Sequence, residues 1–97
     1  MRRIRNTSQT IATTNTMISP ALYGNKRIVL VVTNTSTAGE VISIAVGQEA
    51  VAGKGIVLNQ NDKLAMSSDS GYAPPLEQIN AIASAATATL SVYEESE

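Results

Sequence analysis

The sequence predicts an all-β protein: an antiparallel β-sandwich or jelly roll of seven to eight short strands. Three observations point there. Ile, Val and Thr make up 27 of the 97 residues, and side chains branched at Cβ fit a pleated, half-buried surface better than a helix. The apolar residues fall in short runs or strict alternations, the periodicity of strands and not of amphipathic helices. Clusters of Gly, Pro, Asn, Asp and Ser interrupt these runs roughly every 8–12 residues, the spacing of sandwich and barrel strands.

Along the chain, residues 6–14 read as a polar strand with Ile11 as its main inward residue. Residues 16–22 form a second short strand, which Pro20 confines to an edge or an end. Tyr23, Gly24 and Asn25 then turn into residues 27–33, RIVLVVT, the clearest strand. Its apolar run, residues 28–32, is short and unbroken, so both faces are expected to be covered. Residues 34–39 are a polar turn segment. Residues 40–46 (EVISIAV) place Ile42, Ile44 and Val46 on one face and Val41, Ser43 and Ala45 on the other. Two strands joined by so few turn residues predict a hairpin.

Gly47 ends that strand, and residues 48–55 (QEAVAGKG) are a loop. A short strand over residues 56–58 and a turn at residues 59–62 lead to residues 63–67, with Leu64 and Met66 on one face. Residues 67–75 (SSDSGYAPP) are the strongest loop signal, because the proline pair cannot donate to a sheet ladder. Residues 76–84 (LEQINAIAS) contain good helix formers. Ile79, Ala81 and Ala83 nevertheless alternate with Asn80 and Ile82, which predicts a strand. In the last strand Ala88, Leu90 and Val92 alternate with Thr87, Thr89, Ser91 and Tyr93. The resulting organisation is an N-terminal basic arm over residues 1–9 and a single β-sandwich domain over residues 10–97.

Composition narrows the function. With no Cys and no His there is no thiolate nucleophile, disulfide, ordinary zinc site or histidine general base, so an enzyme is not expected. Leu, Ile and Val together supply 23 residues, enough for a core, but with no Phe or Trp that core is thin. Oligomerisation is a common remedy for small domains of this kind. A formal charge of -1 and a pI near 5.3 argue against nucleic acid as the main partner. No stretch approaches the ~20 apolar residues that span a bilayer as a helix. Polar residues 6–9 follow the N-terminal arginines where a signal peptide would have its apolar region, which predicts a protein made without secretion.

Candidate chemistry is sparse. The segment GQEAVAGKG, residues 47–55, lacks the order of a phosphate-binding loop and precedes a strand instead of a helix, so it reads as a loop with glycines at positive φ. Glu40 and Glu49, or Asp62 and Asp69, could be paired as carboxylates, but they read as solvated turn residues. No calcium-loop pattern or nucleophile elbow is present, and no cofactor or metal is expected. The termini say more. Arg2, Arg3, Ile4 and Arg5 either form an arm against an acidic protein surface, with Ile4 as apolar anchor and the arginines pairing carboxylates, or fray in solvent. Three arginines are too small a footprint for nucleic acid to be the main partner. Tyr72, on its proline-stiffened loop, either anchors an interface or plugs the end of its own sandwich.

The run KRIVLVVTNTS, EVISIAVG, GKGIVLNQNDKLAM, INAIAS and ATATLSVYE, within residues 26–94, resembles small virion proteins of tailed bacteriophages of the capsid decoration (cement) type. The shared features are a basic residue before an aliphatic strand with a polar turn, a strand closing in Gly, and a final alternating strand ending in Glu. The resemblance implies a homo-oligomeric sandwich or jelly roll, dimer or trimer, on the outside of the capsid, bridging subunits of the major capsid protein. The same module occurs in head-fibre, tail-fibre and adaptor domains. A carbohydrate-binding sandwich is a third reading, for which three tyrosines are few aromatic platforms. Arg2, Arg3, Ile4, Arg5 and Tyr72 are the expected partner-binding residues, in a protein made in the host cytoplasm and located on the virion.

Overall fold

The computed structural model describes residues 3–21, 27–67 and 77–96. Eight strands follow in chain order: β1 (Arg3–Ile11), β2 (Thr16–Ser19), β3 (Arg27–Asn34), β4 (Ile42–Val46), β5 (Ile56–Leu58), β6 (Lys63–Ser67), β7 (Ile79–Ala83) and β8 (Ala88–Ser96). They form two four-stranded antiparallel sheets, one ordered β1-β8-β3-β6 and the other β2-β7-β4-β5. Successive strands alternate between the sheets until β4 and β5, then alternate again. That winding makes this sandwich a jelly roll.

Period-2 alternation puts one side of each strand between the sheets. Leu30 and Val32 of β3 and Leu90 and Val92 of β8 meet Ile42 and Ile44 of β4 and Ile79, Ala81 and Ala83 of β7, with Ile11 and Ile18 at one side. The cluster is aliphatic throughout, in a sequence with no Phe or Trp. Ile11 is the buried residue of β1, and the segment 76–84 is a strand, β7, not a helix.

Three expectations are corrected. The segments 27–33 and 40–46 do not form a hairpin: β3 pairs with β6 and β8, whereas β4 pairs with β5 and β7. The polar link carries the chain from one sheet to the other. Asn34 pins that crossing, its Nδ2 donating to Glu40 O and Leu58 O, both at 2.9 Å. The outward residues of β3, Val29 and Val31, are half-buried, so only the inner face of RIVLVVT is fully covered. Glu40 is buried and is not a solvated turn residue.

The loop of residues 47–55 folds back over the outer face of the second sheet. Gly53 N donates to Ser43 Oγ at 2.9 Å, and Asn80 Nδ2 donates to Gln48 O at 2.6 Å. Beneath it Ser43, Ala45 and Asn80 are buried on what would otherwise be a solvent face. Gly55 makes the return possible, because its φ is +81° and a Cβ there would run into the Ile44 carbonyl oxygen.

Candidate functional site

Arg3, Ile4 and Arg5, assigned to an arm by the sequence, open β1, an edge strand of the first sheet. The strand runs antiparallel to β8 in unbroken register from Arg3 opposite Ser96 to Ile11 opposite Ala88. Ile4, Asn6, Ser8 and Thr10 lie exposed on the outer face, and Ile4 is 60% exposed, the most of any large hydrophobic among the described residues. Arg3 is exposed at the end of the strand. Arg5 turns the other way: Nη2 donates to Ile18 O at 3.2 Å, and Nε lies 3.5 Å from Glu94 Oε1. It ties the edge strand of one sheet to that of the other. Arg2 and Tyr72 lie outside the described residues.

Behind Arg5 is a polar cluster that the sequence reading did not identify. Arg27, whose side chain is fully buried, donates from Nε to Glu94 Oε2 at 2.7 Å and from Nη2 to Ser19 Oγ at 2.7 Å. Ser19 Oγ in turn donates to the same Glu94 oxygen at 2.7 Å. Arg27 also donates to Pro20 O at 2.9 Å and, over 3.4 Å, to Glu77 O. Burial pushes the Glu94 carboxyl up. Hydrogen bonds from Ser19 and Arg27, with the charges of Arg27 and Arg5, outweigh that and hold it below the ordinary value of 4.5.

Two β-bulges build this cluster. Register shifts between Met17 and Ser19 in β2, and between Arg27 and Val29 in β3. A bulge re-aims the side chains beside it, and here Ser19 and Arg27 both turn inward. Glu94 needs no bulge, since it follows Leu90 and Val92 on the inner face of β8. That parity was the available signal in the sequence; the end of an acidic tail concealed it.

At the other end of β3 a second polar cluster surrounds Glu40. Its Oε2 accepts from Thr87 Oγ1 at 2.6 Å and its Oε1 from Ala38 N at 2.8 Å. The Thr87 hydroxyl, with the backbone N–H groups, holds this carboxyl below 4.5 against some desolvation. Asn34 Oδ1 accepts from Ser36 N at 3.1 Å. These contacts fix the sheet crossing and leave Glu40 committed, so it does not form a catalytic pair with Glu49. Asp62 Oδ2 accepts from Asn59 N at 3.0 Å within its own turn, and Asp69 lies outside the described residues.

An open groove of about 440 Å³ runs between β4 and the loop, lined by Ile44, Val46, Glu49, Val51, Lys54 and Ile56 among others, with no tyrosine in its lining. Among the described residues no group of three or more His, Cys, Asp or Glu is placed to hold a metal.

The fold and the site define a small jelly-roll protein whose polar interior holds strands together and whose most exposed large apolar residue, among the described residues, lies on a sheet edge. It is similar in fold to a protein of Bacillus endospore appendages, which form disulfide-linked pili. That match has 13% identity, covers 99% of this chain and 83% of that one, and gives a TM-score of 0.52. It is also similar to the coat protein of tobacco streak virus, with 12% identity, coverage of 100% and 85%, and a TM-score of 0.51. No protein-family model matches the chain, and no curated protein matches it significantly by sequence.

Proposed function

We propose that the chain is a structural virion protein, a capsid decoration protein that binds the outside of a phage head and braces neighbouring major capsid subunits. The observation that carries this reading is the jelly roll itself, with strand orders β1-β8-β3-β6 and β2-β7-β4-β5. A viral coat protein and a pilus protein, both parts of assemblies of repeated subunits, are similar to it over nearly its whole length. A shell reinforcer needs area and not reactivity, since many copies of a modest interface become avid on a repeating lattice. The polar clusters fit that role, because each is consumed in holding strands together. Arg2, Arg3, Ile4 and Tyr72 remain the proposed contacts to the major capsid protein. Arg5 contributes by holding β1 in place. Unlike the similar pili, this chain has no Cys, so its contacts do not include disulfides.

Quantitative mass spectrometry of purified virions tests the reading. The chain is expected in near-stoichiometric ratio to the major capsid protein. A few copies per particle would instead assign it to a fibre or adaptor, and its absence from particles would end the proposal.

A further inference from the structure

The four sheet edges are guarded unequally. β5 has three residues; β2 has four, carries a bulge and leads into Pro20; β6 has five and opens on exposed Lys63. Short length, bulges, proline and lysine are the devices by which an edge avoids pairing with another chain. β1 is nine residues long, free of bulges and proline, and uncharged from Asn6 to Thr10, with its two arginines at one end.

The direction of its backbone groups follows from β8. Thr89 uses both of its groups on the side of β3: its O accepts from Thr35 N at 3.1 Å, and its N donates to Ser36 Oγ at 3.0 Å. Residues opposite each other in an antiparallel ladder either exchange both bonds or neither. Thr10, opposite Thr89, therefore points its N–H and C=O away from β8. Alternation extends this to Ser8, Asn6 and Ile4, whose backbone groups line the outer edge.

We propose that β1 pairs antiparallel with β1 of a second copy about a two-fold axis at Thr7, joining two four-stranded sheets into one. The proposal rests on reading the chain as an assembling subunit, but it needs no capsid. Residues 4, 6, 8 and 10 are symmetric about residue 7. Ile4 then faces Thr10 of the second copy and Asn6 faces its Ser8, so every outward group finds a partner. Registers centred on Asn6 or Ser8 leave Thr10 or Ile4 outside the matched set. Arg5 faces Gln9 and Arg3 faces Ile11 of the second copy, which keeps like charges from meeting. Thr7 sits on the axis, and its inward-turned Oγ1 has no hydrogen-bond partner among the described residues. The axis sets a second Thr7 opposite as a non-hydrogen-bonded pair, the closer kind, with Cβ atoms about 4.5 Å apart, so that a χ1 rotation brings the two hydroxyls together.

Single-cysteine variants of the full chain, which has no Cys of its own, test the register. Mild oxidation of Thr7→Cys is expected to give a species of twice the 10.2 kDa chain mass. Asn6→Cys and Ser8→Cys should link at least about tenfold more slowly, because a disulfide needs Cβ atoms within about 4.5 Å. Ser8→Pro removes an outward N–H that β8 does not use, so the sheet is retained, and sedimentation should shift from two-copy to one-copy mass. Equal linking at all three positions, or a wild-type chain that sediments as a single copy, overturns the pairing; the cysteine scan decides even if Ser8→Pro does not fold. A single-copy chain that is still abundant on virions overturns the pairing and leaves the decoration reading standing. A Thr7→Cys dimer whose parent is missing from virions does the reverse.

Discussion

The two ends of the sandwich are closed by opposite chemistry. At the start of β3 a full ion pair, Arg27 with Glu94, is sunk beside Ser19, with Arg5 Nε 3.5 Å from the other Glu94 oxygen. At its end the neutral amide of Asn34 and the single carboxylate of Glu40 satisfy backbone and hydroxyl groups, with no counter-ion among the described residues. A buried ion pair loses the hydration of both charges and recovers it only through excellent geometry. A buried amide needs only its hydrogen bonds. The first end should therefore be the more fragile to one-sided change, and the second the more graded.

The largest effect follows from breaking the ion pair on one side. Glu94→Ala leaves the Arg27 guanidinium buried without its carboxylate and should lower unfolding free energy by about 3–5 kcal/mol, measured by urea denaturation. Replacing Ser19, Arg27 and Glu94 together by Ala, Met and Leu should recover most of that loss, since hydrophobic substitutes for a buried pair are often neutral or better. A triple variant less stable than Glu94→Ala would refute the comparison. Next is Asn34→Ala, which deprives Glu40 O and Leu58 O of their donor at the sheet crossing. It should cost about 1–3 kcal/mol by the same measurement.

Acid then acts on both ends together. Glu94 and Glu40 both lie below the ordinary value of 4.5 in the folded chain. Between folded and unfolded values the unfolded state binds more protons, so stability is fully present above 4.5 and is lost as pH falls through the folded values. The urea midpoint should decline from about pH 5 downward. Thr87→Val, which removes the main cause at Glu40, should make that decline shallower. A midpoint independent of pH over this range would show that neither carboxylate is held as described. The smallest effect belongs to Arg5→Ala: its side chain is 39% exposed and its pair with Glu94 is long at 3.5 Å, so about 0–1 kcal/mol is expected.

The strands were legible because alternation survives in a chain built from Ile, Val, Thr and Ala. Residues 56–58 and 63–67 coincide with β5 and β6, and β7 was recovered against its helix-forming composition. Of the residues expected to contact a partner, Ile4 lies exposed on β1, whereas Arg5 is drawn toward Glu94 and Ile18 O, a contact that sequence alternation does not reveal. Arg27 could not be placed from alternation. It shares the parity of Val29, which faces outward, and only the bulge between them reverses it.

The sequence by itself determined that this is an all-β chain, without the thiol or imidazole groups of most catalytic sites, with an aliphatic core and one long polar strand near its start. Those properties are local, set by side-chain branching, period-2 alternation and the residues that turn a chain. The tertiary structure decided which strands share a sheet, that the segments 27–33 and 40–46 part company, and that Ser19, Arg27 and Glu94 meet. Residues 8 to 75 positions apart make those contacts. Their register depends on two bulges and a sheet crossing whose geometry is fixed only when both sheets pack.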